Sequence, residues 1–115
     1  MTASLAFCTF ADTLVAQSWE CVMTSKCLDA EACTETTYRL GLGKLGNQFL
    51  LSDIAGERPM SEVSVLDDPA QMAFVSSVQD TVVGLFSLYR DGRAHYTLHS
   101  PDFSARYSGT CEAHS

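Results

Sequence analysis

From residue 18 onward the chain alternates apolar and polar side chains in short runs separated by turn formers, the period of two that marks strands with one buried face. In 18–24, Trp19, Cys21 and Met23 share one face, and Ser18, Glu20 and Thr24 share the other. A loop from Cys27 to Cys33 follows, with one helical turn open to it at 28–32. The run 36–42 places Tyr38, Leu40 and Leu42 inward and Thr37, Arg39 and Gly41 outward, and the glycines of 43–47 predict a turn. A third strand over 48–53 is broken by Ala55-Gly56-Glu57-Arg58-Pro59, and a fourth over 60–66 is stopped by Asp67-Asp68-Pro69. A fifth, 71–77, carries Met72 and Phe74 on one face, and Gln79-Asp80 is expected to turn the chain into 82–89.

The string Leu88-Tyr-Arg-Asp-Gly-Arg-Ala94 allows a test of register. A two-residue Asp-Gly loop would pair Leu88 with His95 and Phe86 with Thr97, mixing apolar and polar side chains on each face. A three-residue loop with Gly92 left-handed pairs Leu88 with Ala94, Phe86 with Tyr96 and Gly84 with Leu98. Ser87–His95 and Tyr89–Arg93 then share the opposite face. Burying one face requires such segregation, so the bulged loop is predicted. Pro101-Asp102 turns the chain into a last strand over 103–111. The fold class that follows is all-β: a small antiparallel up-and-down barrel or curled sheet of about eight strands, with a two-sheet sandwich as the alternative.

Residues 1–16 are apolar and rich in small side chains, and Leu14 with Ala16 suits cleavage before Gln17. They are expected to be a signal peptide, leaving a single β domain over 17–115, although no Lys or Arg precedes the apolar run. The alternative is a short N-terminal helix that packs on the domain. Cleavage removes Cys8 and leaves the even set Cys21, Cys27, Cys33 and Cys111. An even set in a short exported chain reads as a framework of two disulfides and a periplasmic or secreted location. Three pairings are open; Cys27–Cys33 as a loop staple and Cys21–Cys111 as a tie between first and last strands are favoured. Zinc would require closer cysteine pairs than this C-x5-C-x5-C spacing, so no metal is expected.

A net charge of −7 with only 7 Lys and Arg argues against nucleic acid and anionic lipid as partners. Membrane association is expected only if residues 1–16 are retained. No cofactor and no catalytic group are expected. His95 and His99 would lie about 13 Å apart along one strand face, too far to share a metal. Ser87 and Ser108 lack a nucleophile elbow, and oxidised cysteines make no nucleophile. Gly41-Leu-Gly-Lys-Leu-Gly46 matches a dinucleotide string, but it joins antiparallel strands where that motif needs a parallel crossover. Candidate binding residues remain. Trp19, Tyr38, Tyr96 and Tyr107 are placed to line a barrel mouth for a small apolar ligand, and Asp29 and Glu31, with Glu35, form an acidic rim suited to a basic protein partner.

The overall plan resembles small periplasmic β-barrels, among them the inhibitors of C-type lysozyme. Phe103-Ser-Ala-Arg-Tyr-Ser108 is similar to that family's central Ser-Gly-x-Arg-Tyr string over about six residues, but it lacks the glycine after Ser104 and lies at the C-terminal edge rather than mid-barrel. The expected function is thus a non-catalytic exported binding module. The alternatives are a periplasmic inhibitor of a basic hydrolase, which the resemblance implies, and an envelope-complex subunit anchored by residues 1–16.

Overall fold

A computed structural model describes residues 18–63, 71–77 and 81–114. They form eight antiparallel strands: β1 (Ser18–Leu28), β2 (Thr34–Leu45), β3 (Gln48–Asp53), β4 (Gly56–Val63), β5 (Gln71–Ser76), β6 (Val83–Tyr89), β7 (Arg93–His99) and β8 (Ser104–His114). Each strand pairs with its neighbour in sequence, and β1 pairs with β8 to close an up-and-down barrel. Closure leaves no sandwich and removes the free sheet edges that attract other chains. The expected signal peptide, the turn at Gln79-Asp80, residues 64–66 of the fourth strand and its Asp67-Asp68-Pro69 stop lie outside the described residues.

The β6–β7 hairpin has the predicted bulged register, with Leu88 opposite Ala94, Phe86 opposite Tyr96 and Gly84 opposite Leu98. Gly92 supports it with φ +96 and an amide bonded to the Tyr89 carbonyl at 2.9 Å, a conformation strained for any side chain. Both favoured disulfides are present. Cys21–Cys111 joins residues directly opposite each other on β1 and β8, and Cys27–Cys33 staples the β1–β2 connection.

Four strands differ from the sequence expectation, β8 in that it runs past 111 to His114 beside the start of β1. β1 continues past Thr24 to Leu28 with no helical turn after it, because the register shifts between Met23 and Ser25. The shift reverses the alternation, so that Lys26 rather than Cys27 lies opposite inward-facing Tyr107. β2 runs through Gly43 to Leu45, leaving only Gly46 and Asn47 as the turn. β4 begins at Gly56, with Pro59 inside it rather than breaking the chain. Pro59 faces Leu50 of β3, and pairing with β5 starts only at Met60, so the missing proline N–H interrupts no ladder on that side.

The interior is packed through its middle. Phe74 and Phe86 are wholly buried, with Met23, Leu42 and Met60 around them. The aromatic rings form a continuous chain: Phe49 to Phe74 at 4.7 Å, Phe74 to Phe86 at 6.4 Å, Phe86 to Tyr96 at 6.0 Å, Tyr96 to Tyr107 at 6.3 Å and Tyr107 to Tyr38 at 4.7 Å. Each buried phenylalanine contributes about 2–3 kcal/mol of transfer free energy. An eight-stranded barrel is just wide enough to be filled this way or to hold one small ligand. Among the described residues, two cavities open toward its ends.

Candidate ligand-binding site

One end carries the β1–β2, β3–β4 and β7–β8 connections, and here a cavity of about 330 Å³ opens into the barrel. Its wall includes Tyr38, Leu40, Leu51, Asp53, Arg58, Tyr96 and Leu98. Strand alternation explains the set. Asp53 is in phase with buried Phe49 and Leu51, and Arg58 is in phase with buried Met60 and opposite Leu51. Gly84 makes room for the Tyr96 ring itself, because a Cβ there would lie 3.1 Å from it.

The polar groups of this cup are tied to one another. The Tyr38 hydroxyl donates to Asp53 Oδ2, and the Ala55 amide donates to Asp53 Oδ1 at 2.8 Å. The β2–β3 ladder ends at Gly41–Ser52, so the Tyr38–Asp53 bond continues the wall where backbone pairing stops. Burial, and then this bond to a carboxylate, push the Tyr38 phenol well above its ordinary value. Burial also raises Tyr96, against an opposing pull from Arg58. The half-buried Arg58 reaches the Val82 carbonyl at 3.4 Å and lines the cavity beside the Tyr96 phenol. Lys26 stands over the Tyr107 ring at 5.8 Å.

Of the aromatic candidates, Tyr38, Tyr96 and Tyr107 therefore come together, whereas Trp19 does not join them. Trp19 lies at the opposite end, in a separate cavity of about 310 Å³ with Met72, Leu88, Tyr89, Cys111 and Ala113. The acidic pair divides by role. Asp29, at φ +48, accepts the Ser104 amide on its carboxylate and donates its own amide to the Ser104 carbonyl, both at 2.8 Å, and so fastens the end of the β1–β8 seam. Glu31 is exposed on the loop. His95 and His99 are exposed, and no metal-holding group of acids, histidines and cysteines occurs among the described residues.

Asp53 and Arg58 are cup residues that the sequence reading passed over. The signal was there: following the alternation of 48–53 from Phe49 and Leu51 to Asp53, and that of the fourth strand backward from Met60, puts both on the inward face.

Fold and site together define a disulfide-closed up-and-down barrel with a filled middle and an open aromatic cup at one end. Compared with known proteins, the chain matches no family model, no curated protein and no solved structure. The chemistry of the cup therefore follows from its own residues.

Proposed function

We propose that the protein is an exported, non-catalytic binding module that holds one small ligand in this cup. The observation that carries the reading is a concave site with apolar and aromatic walls and a few oriented polar groups, the usual build of a ligand pocket. The two disulfides suit an oxidising compartment, which supports a periplasmic or secreted location.

The neutral dye N-phenyl-1-naphthylamine tests the cup. It should bind saturably at one per chain and be excluded by Leu98→Trp, whose larger side chain plugs the cavity. Absence of uptake by the folded protein sinks the reading. Export is tested by intact mass after expression with native upstream DNA in a Gram-negative host. A chain starting at Gln17 and about 4 Da lighter than its reduced form is expected, and a full-length chain with free thiols is the contrary result.

A second reading, inhibition of a basic hydrolase, draws on the exposed acids Glu31, Glu57 and Asp102 around the same end. Near-stoichiometric, salt-sensitive inhibition of a C-type lysozyme supports it, and no effect at excess removes it.

A further inference from the structure

Resting on the reading of the cup as a binding site, we infer that its ligand is an anion: a small, flat apolar body carrying one carboxylate-type group that Arg58 receives. The charges at this end lead to that assignment. Arg58 and Asp53 line the same cavity, yet they form no ion pair; the ion pairs found among the described residues, Arg93–Asp91 and Glu20–His114, lie elsewhere. Both Asp53 oxygens are already occupied, by the Tyr38 hydroxyl and the Ala55 amide. Among the described residues the partner of the Arg58 guanidinium is neutral, the Val82 carbonyl at 3.4 Å, with the Tyr96 phenol beside it on the same cavity wall. A guanidinium offers several donors in a planar fork that matches a carboxylate in two-point geometry. Glu57 also borders the cavity, but it alternates with Arg58 and pairs opposite Ser52 on the outward phase. Lys26 adds a second cation at this end of the barrel.

In a chain of net charge −7 the inner wall therefore presents a cation that forms no ion pair among the described residues, half-buried where its field is little screened. The tyrosine rings and Leu98 supply the complement to an apolar body. The cavity, about 330 Å³, is at the small end of ligand pockets and selects a compact ring system over a long chain.

The test compares two dyes that differ in one sulfonate, anionic 8-anilinonaphthalene-1-sulfonate and neutral N-phenyl-1-naphthylamine, titrated into the oxidised protein. The anionic dye should bind about ten- to a hundredfold more tightly, the range for a hydrogen bond to a charged group. Arg58→Met should abolish that preference while leaving the neutral dye bound, and Lys26→Met should keep it. Equal binding of the two dyes by the wild-type protein overturns the assignment, as does a preference that survives Arg58→Met; in either case the cup stands as a neutral site. Failure of both dyes instead overturns the cup itself. If Arg58→Met does not fold, judged by circular dichroism, the wild-type comparison decides alone.

Discussion

Closure of the barrel depends on pairing the two ends of the chain, and the two disulfides should differ in worth accordingly. Cys21–Cys111 links residues 90 positions apart, whereas Cys27–Cys33 spans 6. On the chain-entropy model, a cross-link removes about 2.1 + 1.5R ln n cal/mol/K from the unfolded ensemble. At 25 °C that gives about 4.6 kcal/mol for the seam bond and about 2.2 kcal/mol for the loop staple. The difference, about 2.4 kcal/mol, corresponds to roughly 10–20 °C in melting temperature for a domain of this size. Replacing Cys21, which is 1% exposed, also leaves a small void that widens the gap.

The assay is urea unfolding of the Cys21→Ala/Cys111→Ala and Cys27→Ala/Cys33→Ala variants, followed by fluorescence of Trp19, the only tryptophan. The seam variant should show the lower midpoint and a larger m value, since its unfolded state expands further. Equal midpoints, or a loop variant that is the less stable of the two, would refute the view that long-range closure dominates the disulfide contribution.

Gly109 faces the β1 backbone so closely that a Cβ would lie 2.0 Å from the Val22 carbonyl oxygen. Gly109→Ala should therefore cost about 3 kcal/mol, the upper part of the overpacking range, and a melting temperature within a degree or two of wild type would contradict the close seam. Phe74→Ala, at a wholly buried ring between Phe49 and Phe86, should lose about 3–5 kcal/mol in denaturant unfolding. Alkaline titration read by phenolate absorbance should show Tyr38 ionising far above 10.0, with Asp53→Asn bringing it back toward that value. The unfolded chain releases this proton first, so the stability tied to Tyr38 is complete below pH 10.0 and declines above it. Tyr38→Phe should remove that share of the alkaline loss, and an unchanged pH profile would show that the phenol is not so held.

Much of the barrel is legible in the alternation. Leu88, Phe86 and Gly84 could be matched to Ala94, Tyr96 and Leu98 because only one register buries apolar side chains together. Cys21 and Cys111 could be paired because closure places first and last strands side by side. The alternation is silent where phase changes without a turn. At Thr24 the register shifts and Lys26 turns inward, which nothing in Thr-Ser-Lys announces. Pro59 reads as a breaker until the stagger of β4 and β5 shows that no partner needs its amide. Arg58 and Asp53 were passed over for a related reason: charge suggests the outer face, although an inward position at a barrel's open end keeps water within reach. Trp19 was grouped with three tyrosines because periodicity assigns a face but not a height along the barrel axis.

The cup and the filled middle have one origin. Where β2 to β5 and β6 to β8 all pair, inward side chains converge from every direction, and Phe49, Phe74, Phe86 and Met60 fill the width. Toward the cup end the ladder between β2 and β3 stops at Gly41–Ser52, while β2 continues beside β1. Large apolar rings there would face water on one side. The sequence instead supplies tyrosines, whose rings extend the aromatic chain and one of whose hydroxyls, that of Tyr38, donates to Asp53. Between β2 and β3 the wall is thus held by a side-chain hydrogen bond in place of a backbone ladder. Segments with few backbone bonds open at lower free-energy cost than fully paired ones, and this stretch of wall is one of them. Tyr38 and Asp53 line both the inner cavity and the cleft of about 570 Å³ on its outer side. The same pair that completes the cup therefore also separates the inner cavity from that outer cleft.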